Sequence, residues 1–459
     1  MASPAAVFAR LSDPNPPTDT PLVLGTAIVL GGSVAGLLAA RILADHAESV
    51  VIVERDDPGA STEPRPGVPQ GNQIHGLLPS GLVQLERWFP GFTEQTLAAG
   101  GRMAAASVRR TYISGVRKAA GSQTNFLTGS RPFLEAQMRR RTLALPNVKS
   151  IVGRAAGLDF DGGAVTGVRV EADGAETVER ADFVVDAMGR SSRLSDWLEQ
   201  AGWQRPAMQR MHVDVNYATT MFHRNHDDFD LNAVIAYGAT GGSTDATGAN
   251  FIQIEGDRWQ VLVAGFKDSK PGRTIEDLRR FCAGYPAEFG EVAAKEPVGE
   301  PQTYRHADSR RRDFHALRRL PARLIATGDA VASFNPVYGQ GMSSAILHAS
   351  ALSEYLRSRP DLSRPARQFF ALQKVLVDAA WETSTRADLE LPHVDGPYPR
   401  GYWLMKRIGG QVTAAAVHDT DISRRFDEVT YMLKHPGTLA KPGVLLRAFM
   451  VNRRARKRA

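Results

Sequence analysis

The chain has 459 residues, of which 43% are hydrophobic and 23% are charged, with a formal net charge of +7. These fractions are typical of soluble globular proteins and exclude a disordered, fibrous or coiled-coil chain, and the length suits roughly two or three domains. Cys282 is the single cysteine. It excludes an intramolecular disulfide and any multi-cysteine metal cluster, so we predict no metal site and a reducing, cytoplasmic location.

The first forty residues contain two segments that resemble targeting signals. Residues 1–22 lack the basic start and continuous apolar stretch of a signal peptide, and we expect a flexible leader there. Residues 21–40 form an uncharged run of 20 residues, nominally long enough to cross a bilayer. Glycines cluster within it at Gly31, Gly32 and Gly36. The run therefore divides into a strand, a glycine turn and a helix, and we predict no membrane span.

The apolar pattern then predicts a strand at residues 26–30, a helix at 34–45 and a second strand at 50–54. A βαβ unit of this length indicates a parallel sheet. Residues 56–76 are rich in proline and glycine and predict a long loop, of the kind that often carries function. A further helix is predicted to begin at Arg131, because Ser130 can cap it.

Two strand-rich regions follow. Asp-Gly turn signals separate three strand-like runs between residues 158 and 186, which predicts a small antiparallel meander. From about residue 205 to residue 315 apolar and polar residues alternate, and residues 249–266 predict a hairpin. A buried strand returns at residues 323–329, and the remaining residues to about Leu433 are predicted to be helical.

The segment GGSVAG fits the dinucleotide-binding fingerprint, with serine in place of its second glycine. The first glycine permits a tight turn, the second position lets the backbone approach a pyrophosphate, and the third lets the helix pack on the strand. N–H groups at the start of a helix favour an anion. The predicted cofactor loop is Gly31, Gly32, Ser33, Val34, Ala35 and Gly36.

Glu54 ends the next predicted strand, 18 residues after Gly36, where a carboxylate can accept hydrogen bonds from ribose hydroxyls. Arg55 beside it could lie over an adenine or face water. A second glycine fingerprint, which an NAD enzyme normally carries, does not follow in the sequence.

A second cofactor segment lies nearly 300 residues later, in ATGDAVASFNPVYGQGM. There a strand ends in Gly-Asp, and a turn rich in proline and glycine enters a helix. A carboxylate at that strand end accepts hydrogen bonds from ribityl hydroxyls, and N–H groups at the helix start stabilise negative charge on the N1–O2 edge of a flavin. FAD is therefore the predicted cofactor. The residues predicted to bind its flavin end are Gly328, Asp329, Pro336, Gly339, Gly341 and Met342.

These observations predict an α/β fold in which a Rossmann-type FAD-binding domain is interrupted by an antiparallel β-sheet substrate domain and followed by a helical C-terminal region. The predicted bounds are 1–22 for the leader, 23–204 and 316–360 for the two parts of the FAD-binding domain, 205–315 for the sheet domain and 361–459 for the C-terminal region.

The pairing of GGSVAG and Glu54 with the late GDA and GQGM segments resembles the group A flavoprotein hydroxylases of the p-hydroxybenzoate hydroxylase type. The segment VVDAMGRSSRLSDWL is similar to their intermediate motif, and places Asp186 and Gly189 where the family approaches the flavin pyrophosphate and NADPH. Ala187 and Met188 stand where many members carry Asp-Gly, and this departure weakens the expectation that NADPH is used.

A narrower resemblance rests on RPGVPQGNQIHGLL, SRPFLEAQMRRR and FNPVYGQGM. These segments are similar to FAD-dependent epoxidases of bacterial polyketide pathways, including those that oxidise polyenes on the way to polyether antibiotics. The matches touch most of residues 25–360. The resemblance implies that Arg131 reaches the flavin side of the cofactor, and that the loop with Gln73 and His75 runs beside the ribityl chain and ring.

The resemblance implies a flavin monooxygenase. NADPH would reduce FAD, O2 would add at flavin C4a, and the hydroperoxide would give one oxygen atom to an alkene of a polyketide-like substrate, free or bound to a carrier protein. Some relatives use this scaffold as a non-redox cyclase for [4+2] ring formation, and the Ala187-Met188 departure leaves that alternative open. A reductase of prenyl double bonds is a third possibility. The cofactor carries the chemistry, so no catalytic side chain is assigned, His75, His306 and Asp329 included.

Tyr217, Phe251 and Trp259 are candidate walls of a substrate pocket, although alternation buries one sheet face with or without a ligand. The arginine clusters 139–141 and 310–312 could guide an NADPH phosphate or an acidic carrier protein, but solvated faces are the simpler interpretation. The last nine residues carry five basic and no acidic side chains. That tail could touch nucleic acid or anionic lipid, but a solvated helix end is the simpler interpretation, and no nucleic-acid partner is predicted.

Overall fold

The computed structural model describes residues 2–57, 59, 62–121, 123–239 and 247–457. Parts of the predicted 56–76 loop and the last two residues of the basic tail lie outside these ranges. The helices are α1 Pro4–Leu11, α2 Val34–Ala44, α3 Pro79–Trp88, α4 Phe92–Ala98, α5 Arg131–Leu143, α6 Leu194–Gln200, α7 Ile275–Cys282, α8 Ala287–Ala293, α9 Gln340–Arg357, α10 Arg367–Asp388, α11 Tyr402–His418, α12 Thr420–Thr430 and α13 Pro442–Ala455.

The strands are β1 Leu24–Leu30, β2 Ala47–Glu54, β3 Arg102–Ala104, β4 Arg109–Ile113, β5 Val116–Arg117, β6 Phe126–Thr128, β7 Val148–Val152, β8 Arg154–Asp161, β9 Ala164–Ala172, β10 Ala175–Arg180, β11 Phe183–Asp186, β12 Met208–His223, β13 Ala233–Tyr237, β14 Thr247–Ile254, β15 Arg258–Phe266, β16 Pro297–Arg312, β17 Leu324–Ala326 and β18 Ala332–Ser333.

A five-stranded parallel sheet forms the first layer, in the order β17-β11-β1-β2-β7. Its central strands are continuous apolar runs, because helices α2, α5 and α9 pack over the sheet and over one another. The carboxyl ends of parallel strands share one edge. The predicted cofactor segments therefore meet there, since Gly31 follows β1, Glu54 ends β2 and residues 327–329 follow β17. This confirms the predicted Rossmann-type core.

The predicted meander is correct for β8, β9 and β10, which pair antiparallel in the order β10-β9-β8. The expectation that residues up to Asp186 form its last strand is wrong. Residues 183–186 instead form β11, which pairs parallel with β1 and β17. All four of its residues are buried, and a continuous apolar strand of this kind suits the interior of a parallel sheet.

An eight-stranded sheet forms the second layer, in the order β18-β16-β12-β15-β14-β13-β4-β5. The predicted hairpin is confirmed, with Ile254 of β14 opposite Arg258 of β15. The strands β4 and β5 were not predicted. They come from residues 109–117, within the segment assigned to the first domain, and β4 pairs parallel with β13. The sheet domain therefore includes two strands that lie outside the predicted range of residues 205–315.

The expected flexible leader is wrong for residues 4–11, which form α1. Ser3 caps this helix, and Phe8 and Leu11 are each 1% exposed where α1 packs against α9 and α10. Arg10 also forms an ion pair with Glu354. An eight-residue helix has little intrinsic stability, so this docking holds it.

Helices α10–α13 occupy the C-terminal region, as predicted. Helices α11, α12 and α13 share a small core of Val412, Ala415, Ile422, Val444 and Ala448. Across the described ranges, no helix is both long enough and apolar enough to cross a membrane.

Candidate functional site

A cavity with a volume of about 1350 Å³ lies between three walls. The walls are the carboxyl edge of the parallel sheet, one face of the eight-stranded sheet, and helices α10–α12. The structure brings most of the predicted cofactor residues to it: Gly31, Ser33, Val34, Ala35, Glu54, Arg55, Gln73, His75, Arg131, Asp329, Pro336, Gly339, Gly341 and Met342. The two cofactor segments thus face one continuous space.

Three of the predicted glycines lie behind the cavity surface and shape it. The N–H of Gly32 donates to Oε2 of Glu54 at 2.7 Å. A Cβ atom on Gly36 would lie 1.8 Å from the carbonyl oxygen of Gly31, so the close approach of α2 to β1 requires glycine. Gly328 has a φ of +60°, and a Cβ there would lie 2.5 Å from Cβ of Ala35. These positions therefore act through backbone packing.

The predicted cofactor contact of Asp186 is not what the structure shows. Its carboxylate is fully buried and accepts hydrogen bonds from the N–H of Met188 at 3.0 Å and the hydroxyl of Ser192 at 2.5 Å. Burial raises the pKa of Asp186 to about 6. Asp186 therefore holds the turn after β11, and the residues of that turn, Ala187, Met188 and Gly189, line the cavity in its place.

A buried ionic cluster lies behind the phosphate loop. Ser33 donates to Oε2 of Glu135 at 2.7 Å, and Arg131 donates to both Ser33 and Glu135 at 2.8 Å. Arg139 donates to Glu135 at 2.5 Å, and Arg65 completes the cluster with a further ion pair. Burial alone would raise the pKa of Glu135, but the guanidiniums of Arg131, Arg65 and Arg139 outweigh it and lower the pKa to about 2.

The sequence analysis missed Glu135, Arg65 and Arg139. Arg131, Glu135 and Arg139 follow one another at four-residue spacing, which places them on one face of α5. That spacing was a usable signal. The expectation that the arginine clusters are solvated is wrong for Arg139, and equally for Arg311 and Arg312, which are 3%, 7% and 6% exposed.

The loop before α3 is tied to the sheet domain through Gln73. Its Oε1 accepts from the hydroxyl of Thr219 at 2.6 Å, and its Nε2 donates to the carbonyl of Gln302 at 3.2 Å. The Nδ1 atom of His75 lies 2.9 Å from the carbonyl oxygen of Gln73. Burial, followed by the charge of Arg131, lowers the pKa of His75 to about 4. The imidazole is therefore neutral at pH 7.

The second cofactor segment is anchored by a residue that the sequence analysis did not single out. Asp388, at the end of α10, accepts from Nδ2 of Asn335 at 2.7 Å and from the hydroxyl of Tyr338 at 2.9 Å. It is fully buried, and burial raises its pKa to about 7. Asp329 faces the cavity, and burial raises the pKa of its carboxyl as well.

One of the three predicted pocket walls lies at the cavity. Tyr217 lines it and stacks on Tyr304 with ring centroids 6.4 Å apart. Phe251 and Trp259 are both 0% exposed and pack with Phe289 on the opposite face of the sheet. Their assignment as pocket walls is wrong, because alternation identifies two faces without identifying which one meets the ligand. The cavity face of β15 carries Leu262, Ala264 and Phe266.

Helices α10–α12 close the cavity from the side opposite the sheet. Their lining side chains were not predicted, and they are of both kinds. The apolar and aromatic ones are Ala387, Tyr402, Met405, Ile408, Val412, Phe426 and Val429, and the polar or charged ones are Glu382, Thr383, Arg386, Lys406, Thr413, Asp427 and Thr430. Two charged groups, Lys118 and Asp427, form a buried ion pair of 2.9 Å at the β4 side of the same space.

Comparison with known proteins decides the family. A family model described as an FAD binding domain matches residues 132–359. Protein Rv3254 of Mycobacterium tuberculosis is 30% identical over 419 residues, covering 87% of this chain and 88% of that protein. The chain belongs to the FAD-binding family of group A flavin monooxygenases. This confirms the resemblance to the group A flavoproteins, whereas the narrower resemblance to polyketide epoxidases stays a prediction.

Solved flavoproteins share the fold of this monooxygenase family member at lower identity. The p-nitrophenol 4-monooxygenase PnpA from Pseudomonas putida DLL-E4 is 16% identical, with a TM-score of 0.62, covering 91% of this chain and all of that chain. The Diels-Alderase PyrE3 of the pyrroindomycin pathway is 18% identical, with a TM-score of 0.56, covering 89% of this chain and 80% of that chain. The fold is therefore shared by proteins named for different reactions.

The residues of this member of the FAD-binding family fit FAD. Nε of Arg131 is buried and has no hydrogen-bond partner among the described residues, which suits an acceptor such as a diphosphate oxygen. The N–H groups that open α2 and α9 face the same cavity. Residues 31–36, with Glu54 and Arg131, would hold the adenosine and diphosphate end, and residues 329–342 the flavin end.

Proposed function

We propose that this chain is an NADPH-dependent monooxygenase that transfers one oxygen atom of O2 to an alkene of an elongated, polyketide-like substrate. The second oxygen atom leaves as water, and NADPH supplies the two electrons. The observation that carries the proposal is the single cavity, in which the two cofactor segments and the apolar sheet face meet. The lone buried cysteine suits a cytoplasmic setting, which we include in the proposal.

The dimensions of the cavity support an elongated substrate. Residues of seven neighbouring strands line it, from Ser333 of β18 through β16, β12, β15, β14 and β13 to Ile113 of β4. The five strands from β12 to β4 span four strand spacings of about 4.8 Å, or roughly 19 Å across the sheet. Apolar side chains lie on three adjacent strands of this span, Ile235 on β13, Ile252 on β14 and Phe266 on β15, and charged groups lie at its β4 end. An extended hydrocarbon chain, free or attached to a carrier, matches this lining.

The protein contributes position, dryness and hydrogen bonds. When bound, FAD supplies the redox and oxygen-transfer chemistry. Helices α10–α12 cover the space above the sheet, and a covered site limits side reactions with water. Asp388 accepts a hydrogen bond from the hydroxyl of Tyr338 and so fixes this hydroxyl at the cavity wall. His306 is neutral at pH 7, because burial lowers its pKa to about 3. An alkene needs no deprotonation before it receives oxygen, so the proposal assigns no base role to the buried histidines.

The test uses purified holoprotein with NADPH, a linear polyene acid and 18O2. We expect NADPH consumption that depends on the polyene, and a product that gains one oxygen atom carrying the label. Label from water, or hydrogen peroxide as the sole product with every polyene offered, would contradict the proposal.

A non-redox cyclase is the second candidate, favoured by Ala187 and Met188, which line the cavity where many family members carry Asp-Gly. The structural likeness to the Diels-Alderase PyrE3 shows that this fold accommodates such an activity. Cyclisation leaves the product mass unchanged and proceeds without NADPH. An isomer of the substrate formed under anaerobic conditions would therefore replace the first proposal with this one.

A further inference from the structure

Helix α13 carries three exposed large apolar side chains. Leu446 is 61% exposed, Phe449 58% and Met450 44%. They are three of eleven such residues in the described part of the chain, and they lie within five positions of one another. A cluster of exposed apolar side chains of this kind marks a binding face.

Helix α13 is apolar on two sides. Val444, Ala448 and Asn452 pack inward, and Asn452 donates to the carbonyl of Gln411 on α11 at 2.9 Å. Its outward side carries Leu446, Phe449 and Met450, whose spacing of three and four residues places them on one stripe. Only one of the two apolar sides is therefore explained by packing within the chain.

The charged side chains of α13 are all basic. The helix contains no aspartate or glutamate, and it carries Arg447, Arg453 and Arg454. Arg447 pairs with Asp419 at the start of α12, whereas Arg453 and Arg454 continue the outward stripe of α13 into solvent. A partner of this face must be both apolar and anionic.

Helix α11 lies between α13 and the substrate cavity. Tyr402, Met405 and Ile408 of α11 line the cavity. Ala448 and Asn452 of α13 pack on the same helix. A partner that covers the outward face of α13 is thus separated from the cavity by α11.

We propose that the outward face of α13, formed by Leu446, Phe449, Met450, Arg453 and Arg454, binds the surface of an anionic phospholipid bilayer. Leucine, phenylalanine and methionine enter the interface between headgroups and acyl chains, while guanidiniums bind the phosphates. A second copy of the chain is disfavoured, because it would bring two faces of the same positive charge together. An acidic protein would pair the guanidiniums but leave three large apolar side chains without an apolar partner.

The test is flotation of the FAD-loaded protein with phosphatidylcholine vesicles, with and without phosphatidylglycerol. We expect flotation only with phosphatidylglycerol, and its loss in the pair Leu446→Ser and Phe449→Ser. The pair Arg453→Gln and Arg454→Gln should weaken binding roughly tenfold or more, because each basic residue near the surface contributes about 1 kcal/mol. The control pair is Val152→Ser and Val178→Ser, which changes two exposed apolar residues on strands β7 and β10. This variant should float with the vesicles as the parent protein does.

Unchanged FAD content and Tm in all three pairs separate loss of binding from loss of folding. The proposal is overturned if the parent ignores both vesicles, if it floats equally with both, or if the control pair loses binding too. The parent protein could bind neither vesicle but form a stable dimer, or capture an acidic carrier protein. If the same substitutions abolish that association, the face is assigned to that partner instead of the bilayer. Substrate turnover is not part of the measurement, so the result is independent of the proposed oxygenation.

Discussion

The substitution Asp388→Asn tests the buried contact that joins α10 to the second cofactor segment. Asparagine keeps the shape of the side chain and can still accept from Asn335 and Tyr338 through Oδ1. The second oxygen, Oδ2, is buried and has no hydrogen-bond partner in the described ranges, so an NH2 group there displaces no existing bond. The variant therefore differs from the parent mainly in having no ionisable group at this position.

The raised pKa of Asp388 sets the size and sign of the effect. A rise from 3.8 to about 7 means that the folded protein holds this proton more tightly than the unfolded chain does. The parent thus has its full stability below pH 4 and loses roughly 4 kcal/mol as the pH rises through 7. About half of that loss, near 2 kcal/mol, falls between pH 5.5 and pH 8. The neutral variant has no such loss, so its stability relative to the parent should increase over this interval.

The assay is urea unfolding of both proteins saturated with FAD, followed by flavin fluorescence and by circular dichroism at pH 5.5 and pH 8. The quantity to compare is the change with pH of the difference in unfolding free energy. Asp361→Asn is the matched control, because hydrogen bonds from Ser363 lower the pKa of this exposed carboxyl and it stays ionised throughout. A difference for Asp388→Asn that is constant from pH 5.5 to pH 8, or one that falls, would refute the reasoning.

Three further substitutions test the rest of the site. Gly36→Ala places Cβ 1.8 Å from the carbonyl oxygen of Gly31 and should raise the Kd for FAD at least about tenfold, as measured by fluorescence quenching. Gly290→Ala is the control, because a Cβ atom there has no neighbour within 4 Å, and its Kd should equal the parent's. Glu135→Gln leaves buried guanidiniums unpaired and should lower the unfolding free energy of the apoprotein by roughly 3–5 kcal/mol. The FAD diphosphate should restore part of this stability. An FAD-induced increase in Tm that is no larger than the parent's would contradict the expected rescue. Tyr217→Ala should change the KM for substrate and also lower Tm, because Tyr217 is 3% exposed and packs with Leu262 and Phe266. A KM equal to the parent's in the folded variant would remove this residue from the wall.

Short-range patterns in the sequence predicted the cofactor edge correctly. The glycine fingerprint and the strand end at Glu54 lie within one βαβ unit, and the second segment carries its own strand, turn and helix. Local geometry determines such units, so few residues suffice to identify them. The positions of the two segments at one edge then follow from the parallel order of the strands.

Long-range contacts account for what the sequence did not reveal. Asp388 meets Asn335 across 53 residues, and Glu135 meets Ser33 across 102 residues, so neither pairing has a local signature. The two-residue strand β5 is too short for periodicity to indicate. The helix α1 depends on docking through Phe8, which composition alone cannot show.

The cofactor edge and the roof of the cavity come from different parts of the chain. The matched family model covers residues 132–359, which include the flavin-end segment but not the phosphate loop at residues 31–36. Helix α10 begins at Arg367, so the helices α10–α12 that close the space above the sheet lie outside the matched residues. A reaction that the cofactor does not determine alone must be selected by what this roof admits. Substrate specificity in this chain should accordingly follow substitutions at Met405, Ile408 and Val429 more closely than substitutions at the phosphate loop, and product analysis of the two sets distinguishes these outcomes.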